Sequence, residues 1–153
     1  MTPREVRVRV PATTANLGPG FDCLGLALDL WNVTTLRLGG TGVGVRVRGE
    51  GADVLPQDAN NLVARAALAF YRRQAVPLPA GLQIECDNAI PLGWGLGSSG
   101  AAVLAGLLGA KARLGSPLGR ETILRLAVEL EGHPDHAAGA LEGGLVIVAA
   151  RGA

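Results

Sequence analysis

A glycine- and serine-rich segment, PLGWGLGSSGAA at residues 91–102, has the clearest chemical signature in the sequence. Gly93, Gly95 and Gly97 alternate with larger residues and precede a predicted helix that begins at Ser98. Glycine lets the backbone adopt positive φ and approach a ligand closely. A helix N-terminus adds unpaired N–H groups and a partial positive charge. The segment therefore predicts a phosphate cradle built from main-chain amides.

The same segment has other interpretations that remain open. The plainest is a glycine-rich turn with an ordinary serine N-cap. Residues 95–100 also match the dinucleotide fingerprint GxGxxG, but that motif directly follows a strand, whereas residues 87–93, which include Pro91, intervene here. A Walker A loop is excluded because no lysine follows the glycines. Lys111 is the only lysine among the 14 basic residues.

Polar residues in other segments are candidates for binding. Asn16 and Asp22 lie in a predicted loop, where Asp22 could bind a hydroxyl or an ammonium group, although turn formation alone accounts for both residue types. Asn61 is predicted to cap a helix. Ser98 and Ser99 could cap the next helix, bond phosphate oxygens or ligate Mg²⁺.

Acidic residues stand at the predicted end of a third helix. Glu129 and Glu131 lie where the helix dipole disfavours anions by about 0.3–1 kcal/mol. A nearby Mg²⁺ would make a carboxylate favourable at this position. The simpler explanation is that both glutamates are solvated surface charges. Asp135 and His136 follow on a predicted loop. Trp94 is expected to pack, with the wall of a nucleotide pocket as the alternative.

The elements that must position these residues follow from hydrophobic periodicity. Alternation over residues 5–10 predicts a strand that ends at Pro11, and residues 11–25, rich in glycine and small polar residues, predict a loop. Strands at 33–38 and 43–48 are predicted to pair as a hairpin through GGTG at 39–42. The remaining predicted elements are a helix at 60–75, a strand at 82–86, a glycine-rich loop at 87–97, a helix at 98–114 closed by Gly115, a helix that Ser116 caps and that runs to 131, a loop at 132–136, a helical turn at 137–141 and an apolar strand at 145–150.

This order of elements predicts an α+β fold with helices packed on one face of a mixed sheet. The chain has 153 residues, of which 48% are apolar and 18% charged, so it can bury a core. No linker or repeat divides it, so residues 1–153 are predicted to form one domain. The apolar strand at 145–150 needs partners on both faces, which indicates that the chain is the front part of a longer protein.

Composition narrows the expected partners. The net charge is +1, so no basic excess points to nucleic acid. The longest nearly apolar run, 101–110, is too short to cross a bilayer, and no secretory signal opens the chain, so no membrane partner is expected. Cys23 and Cys86 lie outside any metal-binding or CxxC spacing. We interpret them as buried, reduced thiols of a cytoplasmic protein.

Three segments together resemble the homoserine kinase family, within the superfamily of galactose, homoserine, mevalonate and phosphomevalonate kinases. They are PATTANLGPGFDCLGLAL at 11–28, IPLGWGLGSSGAA at 90–102 and EGHPDHAAGALEGG at 131–144. The first segment is specific to homoserine kinases, whereas the second alone indicates only the superfamily. The resemblance implies an N-terminal ATP-binding domain with a mixed sheet like that of ribosomal protein S5 domain 2. It also implies a ferredoxin-like C-terminal domain, which is missing from this chain.

The resemblance implies a reaction as well as a fold. That reaction is the ATP-dependent phosphorylation of the side-chain hydroxyl of L-homoserine to O-phospho-L-homoserine, a cytoplasmic step of threonine biosynthesis. ATP and Mg²⁺ are the implied cosubstrate and metal. The expected partners are therefore small molecules, L-homoserine and ATP, with a homodimer as a candidate assembly.

The resemblance also assigns roles to individual residues. Ser99 and Glu131 match the Mg²⁺-associated serine and glutamate, and together with His136 they form the implied catalytic set. Asn16, Asp22 and His136 match substrate contacts. The implied nucleotide-binding residues are Asn61, Pro91, Leu92, Gly93, Trp94, Gly95, Leu96, Gly97, Ser98, Ser99, Gly100 and Ala101.

The sequence departs from the family signatures at three positions. His136 replaces the usual asparagine, Gly139 the usual proline and Gly100 the usual alanine. A histidine at position 136 could act as a base near neutral pH. Two other functions stay open: a catalytically incompetent nucleotide-binding fragment, because the domain that supplies carboxylate-gripping arginines is missing, and a related kinase for another small alcohol.

Overall fold

A mixed sheet covered by helices organises the chain, and the computed structural model describes residues 3–149. In chain order the described elements are β1 (Glu5–Leu17), β2 (Gly20–Leu38), β3 (Gly42–Gly49), α1 (Leu62–Arg73), β4 (Gly81–Asn88), α2 (Ser98–Leu114), α3 (Arg120–Glu131), α4 (Asp135–Glu142) and β5 (Leu145–Ile147). The strand order is β1-β2-β4-β3, and β5 pairs with the first part of β2.

The β1–β2 hairpin corrects the prediction that a strand ends at Pro11 and that residues 11–25 form a loop. Antiparallel pairing continues from Glu5 opposite Arg37 to Leu17 opposite Gly20. The register shifts just after Pro11, and an irregularity of this kind is where a strand accommodates a residue without a backbone N–H. The small polar residues of this segment therefore belong to two paired strands.

The position of β3 corrects the predicted hairpin between residues 33–38 and 43–48. β4 lies between β2 and β3, antiparallel to the first and parallel to the second. Leu82, Ile84 and Cys86 of β4 are each no more than 2% exposed, so this strand belongs at the centre of the sheet. The 39–42 turn binds the start of β4, where the N–H of Gly42 donates to Ala80 O. The parallel pair is connected through α1, as parallel strands require.

The helices form a layer against the sheet and against one another. α2 and α4 contact β1 and β2, while α1 and α3 pack against α2. Val103, Leu104 and Leu107 of α2 are completely buried, so α2 forms the centre of the layer. The predicted α+β class with a mixed sheet is confirmed. Within residues 3–149, no helix combines the length and the apolar character needed to cross a membrane.

α3 and α4 begin at residues other than those predicted. α3 begins at Arg120, not at Ser116, because the N–H of Ser116 donates to Lys111 O at the end of α2 and its hydroxyl donates to Gln74. α4 begins at Asp135, so the two residues predicted on a loop, Asp135 and His136, lie in its first turn.

The predicted bounds of α2 are confirmed, whereas α1 and β5 are shorter than predicted. α2 spans Ser98–Leu114 as predicted, and Gly115 ends it with a φ of 62°. α1 spans Leu62–Arg73 and is two residues shorter at each end than the predicted helix at 60–75. β5 is shorter than the predicted strand and covers only Leu145–Ile147, while Ala150 lies outside the described residues.

Candidate functional site

The loop at residues 89–97 leads from β4 into α2. Gly93, Gly95 and Gly97 have φ values of 75°, 69° and 71°, whereas the residues between them have negative φ. An alternation of this kind is the backbone pattern that turns successive N–H groups into an anion-binding nest. In the described chain, no main-chain N–H from Gly93 to Gly100 donates to a backbone carbonyl. These donors therefore remain available to a ligand.

A cavity of about 310 Å³ lies beside this loop, which is within the size range of small-molecule sites. Of the predicted nucleotide-binding residues, all but Trp94 and Gly100 line it. None of the described residues that line it is Lys, Arg, Asp or Glu. An anion in this cavity would therefore be held by backbone dipoles and polar side chains.

The Ser99–Glu131 pair lies at the N-terminus of α2. The Ser99 hydroxyl donates to Glu131 Oε2 at 2.8 Å and so joins the start of α2 to the end of α3. Of the roles predicted for Ser98 and Ser99, capping of α2 is not found, because the N-cap is Gly97, which has no side chain. The Ser99 hydroxyl is instead committed to the carboxylate.

The chemistry of this pair suits one hard divalent cation. Mg²⁺ prefers oxygen ligands and usually takes one or two carboxylates together with phosphate oxygens and water. Residues 3–149 contain no cluster of three His, Cys, Asp or Glu side chains that could hold a metal. Ser99 and Glu131 would therefore supply only two oxygen ligands to such an ion, and its other ligands would have to come from outside the described chain.

His136 also lies beside the start of α2 and lines the cavity. Its Nδ1 is 2.7 Å from the hydroxyl oxygen of Thr13, which is completely buried. The N–H of Thr13 also donates to Leu96 O at 3.0 Å. A Cβ on Gly97 would overlap Thr13 Oγ1 and lie 2.9 Å from His136 Nδ1. The absence of a side chain at position 97 therefore lets the Thr13–His136 pair sit directly under the loop.

Asn32 is a site residue that no sequence pattern indicated. It is 5% exposed and lines the cavity. Its Oδ1 accepts from the N–H groups of Ala89 and Ile90 at 2.8 and 2.9 Å, which fixes the start of the glycine loop. The available signal was an amide residue directly before the strand predicted at 33–38. Thr13 was also missed, because its segment was predicted to be a loop.

Asn61 caps α1, as predicted. Its Oδ1 accepts from the N–H of Val63 at 3.0 Å, and its Nδ2 donates to Pro56 O at 2.8 Å. The side chain is 4% exposed and lines the cavity. Asn61 therefore both caps α1 and lines the cavity.

Asn16 and Asp22 lie at the tip of the β1–β2 hairpin. Both are exposed and have φ values of 57° and 56°, and the N–H of Asp22 donates to Asn16 Oδ1 at 2.9 Å. Asn and Asp tolerate this backbone conformation, so turn geometry accounts for their presence here. The structure groups them with each other and not among the residues that line the cavity.

Trp94 is 79% exposed, so the prediction that it packs is wrong. Positive φ at the glycines on both sides turns the loop outward at this residue. Trp94 therefore lies on the outer surface of the loop, beside the cavity-lining residues.

The two cysteines have different environments. Both are free, and Cys86 is buried whereas Cys23 is half-buried, so the predicted burial is confirmed only for Cys86. Desolvation raises the pKa of the Cys86 thiol to about 11, against the opposing effect of a hydrogen bond with Thr34. The cavity wall at this point thus carries a neutral thiol.

The sequence of the chain is similar to those of known kinases. Residues 61–144 match the family model of the GHMP kinases N terminal domain. The chain is similar to the homoserine kinase of Synechococcus sp., with 51% identity over 146 residues, which is 95% of this chain and 47% of the relative. It is also similar to that of Carboxydothermus hydrogenoformans, with 46% identity over 142 residues, covering 93% and 46% of the two chains. The chain spans about half the length of the curated relatives it matches.

Solved structures share the fold. A crystal structure of homoserine kinase from Cytophaga hutchinsonii superposes with a TM-score of 0.85 at 33% identity, covering 98% of this chain and 50% of that one. The mevalonate kinase of Methanococcus jannaschii superposes with a TM-score of 0.77 at 15% identity, covering 98% and 57%. At that identity the second likeness concerns the fold alone.

Proposed function

The chain belongs to the GHMP kinase family, and on that premise we propose that residues 1–153 are the ATP-binding domain of a homoserine kinase. The proposed reaction is transfer of the γ-phosphoryl group of ATP to the side-chain hydroxyl of L-homoserine. The products are ADP and O-phospho-L-homoserine, in the cytoplasmic synthesis of threonine. The observation that carries the proposal is the run of unpaired main-chain N–H groups beside the cavity, in a chain 51% identical to a homoserine kinase.

The main-chain amides of residues 93–100 are the proposed phosphate ligands. They lie at the positive end of the α2 dipole, which favours anions. Since no lysine or arginine is among the described residues that line the cavity, the amides would supply most of the direct contacts to the β- and γ-phosphates. Phosphoryl transfer depends mainly on positioning and charge stabilisation, and a preformed amide cradle provides both.

Ser99 and Glu131 would hold Mg²⁺ through the hydroxyl and carboxylate that already face each other at 2.8 Å. When bound, Mg²⁺ would offset the negative charge of the phosphate oxygens. Glu131 also keeps the Ser99 hydroxyl oriented in the free protein by accepting its hydrogen bond. This orientation places two oxygen donors at the start of α2, beside the proposed phosphate site.

Asn16, Asp22 and His136 are the proposed contacts to the acceptor. Asp22 carries a carboxylate suited to the substrate ammonium group, and it lies exposed at the hairpin tip. His136 lines the cavity at the N-terminus of α2, where it can contact the transferring phosphoryl group or the acceptor hydroxyl. Asn61 lines the same cavity, and exposed Trp94 borders it as a proposed contact to the nucleotide.

A second candidate is nucleotide binding without turnover. The observation that favours it is again the absence of lysine and arginine from the described cavity lining. The carboxylate of L-homoserine would find no cationic partner there, and a carboxylate that loses water without a partner is costly to bind. A kinase for another small alcohol is the further alternative, since mevalonate kinase shares the fold.

Titration calorimetry with MgATP, followed by an ADP-release assay on the chain, separates these functions. MgATP binding together with ADP release that depends on L-homoserine would support the proposal. Binding without ADP release, with L-homoserine or with a panel of alcohols that includes mevalonate, would support the non-catalytic alternative. Release with another alcohol alone would reassign the substrate, and failure to bind ATP would contradict every version.

A further inference from the structure

The Thr13–His136 pair has a property that the proposed reaction does not require. Thr13 lies in β1 and His136 in α4, 123 residues apart in sequence, and their side chains are 2.7 Å apart. The Thr13 side chain is completely buried. Its hydroxyl is both a donor and an acceptor, whereas a neutral imidazole has one nitrogen of each kind. The burial of Thr13 therefore bears on which His136 nitrogen carries the proton.

In the described chain, Nδ1 of His136 is the hydrogen-bond partner of the Thr13 hydroxyl. If Nδ1 carried a proton and donated it, the hydroxyl proton would be left buried without an acceptor. A buried donor left unpaired has lost its hydrogen bonds to water without replacement, which is unfavourable. If the hydroxyl donates to Nδ1 instead, both groups are satisfied and the imidazole proton stands on Nε2.

We infer that Thr13 is a positioning residue that holds neutral His136 as its Nε2–H tautomer and presents an N–H donor toward the cavity. Nδ1 is occupied by Thr13, so Nε2 is the ring nitrogen left for a molecule in the cavity that His136 lines. The tautomer follows from the contacts alone. The identity of the molecule that meets Nε2–H rests on the proposed function.

This tautomer changes what His136 does in the proposed reaction. With its proton on Nε2 and its Nδ1 lone pair engaged, the neutral ring has no free nitrogen to accept the proton of the acceptor hydroxyl. It can donate to a phosphate or hydroxyl oxygen in the cavity. In this state His136 would supply a hydrogen-bond donor and no base.

The test reads the tautomer directly. The chain is labelled with ¹⁵N-histidine and examined by long-range ¹H–¹⁵N correlation NMR at about pH 8.5, well above the range in which free imidazole titrates. His133 is exposed and serves as the control ring in the same sample. Thr13→Val removes the hydroxyl at nearly constant shape, and Thr13→Ser restores it. The variant His133→Asn assigns the two rings.

We expect His136 to show an unprotonated Nδ1 and a protonated Nε2. Thr13→Val should shift the His136 Nδ1 resonance and leave His133 unchanged, and Thr13→Ser should restore the wild-type position. A protonated Nδ1 in the wild-type chain would overturn the inference without reference to any variant, and so would an unchanged Nδ1 resonance in folded Thr13→Val. Added MgATP should move the Nε2 resonance of His136. Failure to bind MgATP would contradict the proposed function alone, because the tautomer is read in the free chain.

Discussion

At the scale of single residues, Glu131 offers the cleanest separation of metal binding from phosphate binding. Glu131→Gln keeps an acceptor for the Ser99 hydroxyl, 2.8 Å away, but removes the negative charge that attracts Mg²⁺. We expect the affinity for MgATP to fall about 10–100-fold, and the affinity for ATP measured in EDTA to stay unchanged. Titration calorimetry with and without Mg²⁺ measures both affinities.

Glu129→Gln is the matched control for this prediction. Glu129 is exposed and lies two residues earlier on α3, so its substitution by glutamine removes the same charge from the same helix. It should leave both affinities at their wild-type values. If Glu131→Gln lowered the affinity for ATP equally in the presence and absence of Mg²⁺, a metal-binding role for Glu131 would be contradicted.

Cys86 makes a second residue-scale prediction, about stability and pH. Burial raises the pKa of its thiol from 9.0 to about 11, so between these pH values the folded chain keeps a proton that the unfolded chain has lost. Stability from this group is therefore complete below pH 9 and declines as pH rises toward 11, by up to about 1.4 kcal/mol per pH unit. Urea unfolding at several pH values between 8 and 11 measures the decline.

Cys86→Ala isolates the cysteine from other groups that titrate at high pH. Burial also raises the pKa of Tyr71, but Tyr71 is present in both proteins and cancels in the difference. The free energy of unfolding of Cys86→Ala should decline less steeply with pH than that of the wild type. Parallel pH profiles for the two proteins would contradict the buried, neutral thiol.

Residue roles could be predicted from sequence where the chemistry is local. The capping bond of Asn61 joins residues two apart in the chain, and a motif this short can be recognised in a sequence. Thr13 meets His136 across 123 positions, and Asn32 meets Ala89 across 57. Contacts of this range depend on the strand pairing, so the sequence pattern does not disclose them.

At the scale of elements, the glycine loop leads to a prediction about nucleotide affinity. Gly95 has a φ of 69°, and a Cβ there would meet nothing within 4 Å. Gly95→Ala should therefore cost about 1–2 kcal/mol of stability from backbone strain, without a clash inside the protein. The added methyl group would stand beside the N–H groups proposed to bind phosphate. We expect the affinity for MgATP to fall about tenfold or more, which corresponds to losing one hydrogen bond to a charged group.

Gly115→Ala controls for the strain. Gly115 has a φ of 62° and equally open space around its Cβ position, but it ends α2 at the opposite terminus from the loop. The two variants should lose similar amounts of unfolding free energy in urea. If Gly115→Ala weakened MgATP binding as much as Gly95→Ala, strain and not the phosphate cradle would explain the loss.

The elements themselves differ in how far sequence could predict them. The bounds of α2 were predictable because glycines flank it and mark its ends locally. The partner of β3 was not, because alternation of period two identifies a strand without naming its neighbour. The loop predicted at 11–25 was wrong for a related reason: glycine and small polar residues are common in turns, yet here paired strands accommodate them through register shifts near Pro11 and Asn16.

At the scale of the whole molecule, the site is formed where several elements converge. Its lining comes from β2, β4, the segment between β3 and α1, the start of α1, the glycine loop, the first part of α2 and the first turn of α4. β1 lies beneath, where the N–H of Thr13 donates to Leu96 O. The α+β class and the glycine loop could be predicted from the sequence, whereas the assembly of the cavity depends on the long hairpin and on the central position of β4.

The central claim is that main-chain amides of residues 93–100 hold the triphosphate without a lysine. A crystal structure of the chain with Mg²⁺ and a non-hydrolysable ATP analogue tests it most directly. We expect the β- and γ-phosphate oxygens to accept hydrogen bonds from these amides, within about 3.2 Å. A triphosphate bound elsewhere, for example in the groove lined by Arg9 and Arg120, would contradict the claim.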